Sequence, residues 1–438
     1  MTYTIEKVTT LIGARRYGDR DGNVGFILTD SRSLCFPEET LFFALKSERN
    51  DGHNYIPELY RRGVRNFVVS QVPKGYASDY PEANFLKVVN TLEALQRLAE
   101  RHRDEFNIPI VGITGSNGKT MVKEWLHQLL SPSMFVTRSP RSYNSQIGVP
   151  LSVWLLNEQT QVGVFEAGIS QPGEMLALRD IIQPTIAVLT YLGAAHQENF
   201  ESLEAKCREK IILFHDADTI VYNGDDKTVS GVVNEYKDYK GEKLFWSFRD
   251  TKAPFFVKNV EKKGNLSIIT YIYKGEEDSY SLPFIDEASV TNSIIAAVVS
   301  RRLGLSAEEL DKRMALLEPV AMRLEVKEGQ HGCTLINDSY NSDINSLDIA
   351  LDFMSRRPDH KGRRHTLILS DIFQSGESAK DLYHEVSDLC RKRGVVKFIG
   401  IGPQLCSQSD EIQISEKFFF SNVEEFIDSE VFKSLRDE

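Results

Sequence analysis

The sequence lacks most of what would make it a disulfide-built, membrane-spanning or nucleic-acid-binding protein. Its five cysteines (Cys35, Cys207, Cys333, Cys390 and Cys406) are scattered, odd in number and include no CxxC pair. That excludes a disulfide framework and predicts reduced thiols. No apolar run approaches the roughly 20 residues of a transmembrane helix, and the opening Met-Thr-Tyr-Thr-Ile-Glu-Lys has no apolar leader core. A basic stripe is also missing. The net charge is −11, which argues against a nucleic-acid surface, so any lysine that grips phosphate must be placed locally. There is no internal repeat and no low-complexity segment. With 438 residues the chain is long enough for about three domains. A soluble cytoplasmic protein is expected.

What is present is organised around Ile108-Pro-Ile-Val-Gly-Ile-Thr-Gly-Ser-Asn-Gly-Lys-Thr120. Ile108 to Ile113 reads as a buried strand, Gly115 and Gly118 as a turn, and Lys119-Thr120 as the opening of a helix. Val122, Trp125, Leu126 and Leu129 then recur at the spacing of one helical face. Such a turn aims backbone N–H groups and the helix dipole at an anion. Lys119 adds a positive charge, and the Thr120 hydroxyl can ligate Mg²⁺. Ile113 stands where the strict P-loop pattern has glycine, so the loop Thr114-Gly-Ser-Asn-Gly-Lys-Thr120 is a variant. The plain alternative is a glycine-rich strand–helix turn. The flanking strand and helix favour an ATP-binding loop.

Residues 1–106 read as a small α/β domain, with strands at Gly25–Leu28, Thr40–Leu45 and Asn66–Ser70 and a helix at Tyr55–Arg62. Two polar turns, Thr29-Asp-Ser-Arg32 and Lys46 to Asn54, follow strands there and on composition alone read as solvated surface. A helix from Thr91 to Phe106 connects onward. Residues 107–318 carry the loop and two further strands, Val162–Phe165 and Thr185–Leu189, which lead into Glu166 and His196. In open parallel sheets ligands sit beyond the carboxyl ends of the strands. Lys119, Thr120, Glu166 and His196 are therefore expected at one crevice, where a carboxylate and an imidazole can hold a divalent metal bridging ATP phosphates. Taken singly, the glutamate could be solvated and the histidine a cap. A helix from Leu203 to His215 carries Lys206 and Lys210. Alternating runs at Leu244–Phe248, Phe255–Val260, Leu266–Tyr273 and Ser279–Pro283 read as hairpins, one turning at Lys274-Gly275, before a helix at Val290–Leu303. Residues 319–438 read as a third, doubly wound α/β unit. Its strands are Thr334–Asn337, Thr366–Leu369, Val396–Ile401 and Lys417–Phe420, with helices near Ser346–Met354 and Ala379–Arg393.

Taken in order, these stretches resemble the Mur ligases of peptidoglycan synthesis along nearly the whole chain. The resemblance rests on Thr29-Asp-Ser-Arg32, Leu41 to Lys46, Asp51-Gly-His53, Thr114 to Thr120, Tyr143 to Leu151 and Glu166-Ala-Gly168. It continues through Pro172-Gly-Glu174, Ala195-His196, Phe200-Glu-Ser202, Lys210, Met322-Arg323-Leu-Glu325 and Asn337-Asp-Ser-Tyr-Asn341. It implies a central P-loop ATPase domain, an N-terminal UDP-sugar domain and a C-terminal Rossmann-like domain. It implies ATP-dependent amide formation between UDP-N-acetylmuramoyl-tripeptide and D-alanyl-D-alanine through an acyl phosphate, with two Mg²⁺ ions.

Residue by residue, the resemblance puts Thr114, Gly115, Ser116, Asn117, Gly118, Lys119 and Thr120 on the ATP phosphates. Thr120, Glu166, His196 and a carbamylated Lys210 become metal ligands, with Lys206 as the competing lysine. Asn292 meets adenine, Arg323 the phosphates and Asp338 the ribose. Ser31, Arg32, Lys46, Asn144, Tyr340 and Asn341 are implied on the substrate side. The catalytic set is Lys119, Glu166, His196, Lys210 and Arg323. A third-residue-adding Mur ligase, a folylpolyglutamate synthase-like enzyme and a non-catalytic ATP-binding relative are the competing readings.

The departures are local. Asp286-Glu-Ala-Ser289 replaces the family's Gly-x-His-Asn, Ser142-Tyr-Asn144-Ser145 its Asn-x-Asn-Asn, and Ser370 to Gly376 its Gly-Asp-Met-x-Glu-Leu-Gly. The last residues, Ser434 to Glu438, lack the usual Lys-Gly-Ser/Ala-Arg strand. Some related ligases are fused ahead of an alanine racemase, and this chain reads as the ligase part of such a fusion or as a shortened form. It carries no racemase sequence, and no racemase activity is expected.

Overall fold

The computed structural model describes residues 2–47, 50–193, 197–237, 239–320, 325–329, 331–339, 344–356, 364–372 and 378–436. Its centre is a six-stranded, all-parallel sheet. In spatial order the strands are Glu242–Lys243, Thr219–Val221, Ile186–Leu189, Ile110–Thr114, Val162–Glu166 and Val136–Arg138. Ile110–Thr114 is fully buried because helices cover both faces, and it reads as a continuous apolar run for that reason. It pairs with Val162–Glu166 on one side and Ile186–Leu189 on the other, with Glu166 opposite Ile113 and Leu189 opposite Thr114. The three strands therefore end in step.

The phosphate-loop helix, Lys119–Leu130, buries Val122, Trp125, Leu126 and Leu129 as its periodicity predicts. That face packs into one core with the helix Glu287–Arg302 and with the inner faces of the strands Phe255–Lys263, Leu266–Tyr273 and Glu276–Leu282. These three strands form the expected hairpins, with the turn at Lys274-Gly275, whereas the run Leu244–Phe248 supplies only Trp246–Ser247, which pairs parallel with Phe255–Phe256 and makes no hairpin. Trp125 stacks on Phe284 with centroids 5.3 Å apart and donates its indole N–H to the carbonyl of Glu318.

Before residue 107 the chain forms a mixed five-stranded sheet in the order Arg15–Tyr17, Asn84–Lys87, Asn66–Val69, Thr40–Phe43, Phe26–Leu28. The two strands of this sheet that sequence reading missed, Arg15–Tyr17 and Asn84–Lys87, carry charged or polar residues at their ends and so show no apolar run. The helix Ile5–Ile12 was also missed, because its Val and Thr residues weaken the helical signal. Towards the C-terminus, three of the four expected strands form a parallel sheet: Thr366–Ser370, Lys397–Ile401 and Glu416–Phe420. The fourth, Thr334–Asn337, pairs instead with Glu325–Glu328 as an antiparallel hairpin. A local partner closes a far smaller loop than a crossover does. All five cysteines are free. Among the described residues no helix is long and apolar enough to cross a membrane.

The connecting helix Thr91–Arg103 is fastened on both sides. Tyr3 donates its hydroxyl to Nδ1 of His102 at 2.8 Å, and Nε2–H of His102 donates to the carbonyl of Leu156 at 3.0 Å. Trp154 packs on the imidazole at 4.6 Å and donates its indole N–H to Gly25. Both nitrogens are thus committed in the neutral ring, and burial pushes the His102 pKa down from 6.5 to about 4. Between those values the unfolded chain binds a proton that the folded chain refuses, so stability falls as the pH falls through this window. The loss amounts to about 3 kcal/mol. Urea unfolding between pH 7 and 4.5 should show it in the native chain and a flatter dependence in His102→Gln. Parallel curves would rule out His102 as the source.

Candidate active site

The phosphate loop holds its shape through backbone positions that only glycine fills well. Gly115 has φ +145°, and a Cβ there would lie 2.1 Å from the Thr190 hydroxyl. Gly118 has φ +85°, and a Cβ there would lie 2.5 Å from Oδ1 of Asn292. The loop is stitched to the neighbouring strand end: Ser116 N–H donates to the carbonyl of Tyr191, and the Thr190 hydroxyl donates to the carbonyl of Asn117. Asn292, near the start of the helix Glu287–Arg302, reaches this loop and donates to the sulfur of Met121. Asp286, one of the departures from the family pattern, caps that helix by accepting from Ser289 N–H at 2.7 Å. It thereby sets the helix that carries Asn292. Burial raises the pKa of Asp286.

Three lysines surround the loop. Nζ of Lys119 donates to the carbonyls of Gly115 and Ser116 at 2.8 and 3.1 Å. Lys210, 3% exposed, donates to the same Gly115 carbonyl at 3.2 Å, and Lys206 donates to the carbonyl of Gly193 at 2.6 Å. Both come from the helix Leu203–Ile211. Burial, then the neighbouring charges of Lys119 and Lys206, hold the Lys210 ammonium well below its usual pKa. The cluster stabilises anions and leaves Lys210 inclined to be neutral.

Glu166 closes the other side. It is fully buried rather than solvated. One oxygen, Oε2, accepts from the Thr120 hydroxyl at 3.1 Å and from the Asn144 amide at 3.4 Å. The other, Oε1, lies 3.0 Å from Nζ of Lys123. The Ser142 hydroxyl is 3.0 Å from that of Thr120. Oxygen donors from Thr120 and Glu166, with Ser142 and Asn144 beside them, fit a hard divalent cation such as Mg²⁺. Among the described residues, no group of three or more His, Cys, Asp or Glu side chains forms a ready metal site.

Of the residues singled out in the sequence, the structure brings together Lys119, Thr120, Glu166, Asn144, Lys210 and Asn292. Ser31 and Arg32 lie in a turn of the N-terminal sheet, where Arg32 pairs with Asp30 at 2.7 Å, and Lys46 lies 3.9 Å from Asp51. Asp338 follows the strand Thr334–Asn337. His196, Arg323, Tyr340 and Asn341 fall outside the described residues. Sequence reading missed Lys123, a fully buried lysine, and Ser142 as a partner of Thr120. A charged residue among the apolar positions of the phosphate-loop helix was the available signal for Lys123.

Against known proteins, residues 113–300 match the Mur ligase middle domain. The match covers the central phosphate-loop region, and the fold around it is shared with solved Mur ligase structures. A relative in Bacillus subtilis (strain 168), named UDP-N-acetylmuramoyl-tripeptide–D-alanyl-D-alanine ligase, is 28% identical over 82% of this chain and 76% of its own length. Among solved structures, MurF from Acinetobacter baumannii superposes with a TM-score of 0.82 at 22% identity, covering 96% of this chain and 90% of that one. MurF from Thermotoga maritima in complex with ADP superposes with a TM-score of 0.76 at 22% identity, covering 94% and 91%.

The loop geometry carries an expectation. Gly115→Ala should lower stability by about 1–3 kcal/mol, because it combines a strained φ with a clash against Thr190. It should also abolish nucleotide binding. Thermal unfolding and calorimetry with a non-hydrolysable ATP analogue would check both.

Proposed function

We propose that the chain joins D-alanyl-D-alanine to UDP-N-acetylmuramoyl-tripeptide, consuming ATP and releasing ADP and phosphate. The observation that carries this reading is the convergence of a phosphate loop, buried lysines and a buried carboxylate at the ends of three adjacent parallel strands. The relatives named for that reaction support it. The division into units 1–106, 107–318 and 319–438 belongs to the same reading, as does a cytoplasmic location, where ATP is available.

In this mechanism the loop N–H groups of Gly115 to Thr120 and the Lys119 ammonium hold the ATP phosphates. An oxygen of the tripeptide's terminal carboxylate attacks the γ-phosphorus, ADP leaves, and an acyl phosphate remains. The dipeptide amine then adds to the acyl carbon and loses a proton. The tetrahedral adduct expels inorganic phosphate and leaves an amide. Lys119 neutralises charge on the transferred phosphoryl group, while Asn144 and Ser142 line the side from which the carboxylate comes. Two Mg²⁺ ions, held by Thr120 and by Glu166 with His196 and Lys210, would supply charge neutralisation between the phosphates. Arg323 is assigned to the phosphates, Asp338 to the ribose and Asn292 to adenine. Ser31, Arg32 and Lys46 are assigned to the UDP-sugar, and Tyr340 and Asn341 also to the substrate side.

Lys210 suits a metal only as its carbamate. A neutral amine can attack CO₂, form an N–C bond and release a proton, which turns a cation among lysines into an anionic oxygen ligand. The lowered pKa of Lys210 favours the neutral amine this needs. Growth of a ¹³C carbamate signal in ¹³C-bicarbonate, absent in Lys210→Arg, is the expected result. Its absence from the native chain removes the carbamate from the mechanism.

The function itself is tested by phosphate release with ATP, Mg²⁺ and UDP-N-acetylmuramoyl-tripeptide, with and without D-alanyl-D-alanine. Release should require the dipeptide and fall at least about 100-fold in Lys119→Ala. Release that ignores the dipeptide, or none at all, would sink the reading.

A further inference from the structure

Lys123 is fully buried one turn beyond Lys119 on the phosphate-loop helix. Its ammonium has partners in three places. It lies 3.0 Å from Oε1 of Glu166 and 3.0 Å from Oε1 of Glu124, and it donates to the carbonyl of Arg141. Glu124 is held in turn by Arg138 at 2.9 Å. Arg141 has φ +50°, a conformation unusual for a residue with a side chain, so the backbone at this carbonyl is held against its preference. The segment it belongs to carries Ser142 and Asn144, the two side chains that reach Thr120 and Glu166.

We propose that Lys123 is a positioning residue that locks the 139–145 segment to Glu166, so that the cation site and the acceptor side of the pocket form together. This rests on the proposed function for the acceptor's identity. The ammonium takes one carboxylate oxygen and leaves Oε2 facing Thr120, which orients Glu166 as a single-oxygen ligand. By holding the Arg141 carbonyl it also fixes where Asn144 and Ser142 point. Groups that orient a ligating carboxylate act on metal affinity through geometry, and their removal costs about 10–100-fold. The departure Ser142-Tyr-Asn144-Ser145 sits within reach of this lock.

Binding, rather than turnover, tests it. On the full chain, Mn²⁺ affinity in the presence of a non-hydrolysable ATP analogue is read by electron paramagnetic resonance. Affinity for UDP-N-acetylmuramoyl-tripeptide is read by calorimetry. Lys123→Met should weaken Mn²⁺ about 10–100-fold and should weaken the tripeptide as well. A folded Lys123→Met that keeps both affinities and merely melts earlier would overturn the proposal. So would loss of one affinity without the other, since one ammonium is said to hold both. If leaving Glu166 unpaired prevents folding, Lys123→Met/Glu166→Gln is compared with Glu166→Gln alone. Weaker tripeptide binding in the double variant supports the lock, and equal binding overturns it. If the native chain binds Mn²⁺ and nucleotide but no tripeptide, the substrate reading fails, and Lys123 is then judged on Mn²⁺ alone.

Discussion

A charge taken out of water must find its partners inside the protein, and at the carboxyl end of the central sheet several are taken out at once. Glu166 is fully buried, and so is Lys123 beside it. Removing Lys123 would strand the Glu166 charge at a cost of several kcal/mol. The pair therefore constrains the phosphate-loop helix, the strand Val162–Glu166 and the 139–145 segment to one arrangement. The six parallel strands supply the platform, because the register that sets Glu166 opposite Ile113 and Leu189 opposite Thr114 ends three strands at one level.

On that platform the two halves of the pocket have opposite electrical character. Lys119 and Lys210 crowd the loop carbonyls and Lys206 holds the carbonyl of Gly193, while Glu166, Thr120, Asn144 and Ser142 offer oxygen beyond them. An anionic phosphate chain and a hard cation suit this division. The cost is local: Gly115 and Gly118 must be glycine, and Lys210 sits where an ammonium is disfavoured.

Much of this was legible beforehand. The apolar run before the loop, the periodic face of its helix, and the strands leading to Glu166 and towards His196 all carry local signals that survive in the fold. The hairpins around Lys274-Gly275 did so as well. The strand Arg15–Tyr17 carried none, because Arg15 and Arg16 leave no apolar run to read. Thr334–Asn337 was seen as a strand but not with its hairpin partner, since pairing is a choice between neighbours of similar appearance.

By itself the sequence determined most of the longer elements, the phosphate loop and the residue types available for phosphate and cation, because propensity, period and glycine placement act within a few residues. The tertiary structure alone decided which charges meet. Lys123 was an unremarked lysine until the sheet register set Glu166 beside it, and Lys210 acquired its character only when burial and two other lysines closed around it. Desolvation and ion pairing depend on groups far apart in the chain, so no local pattern can announce them.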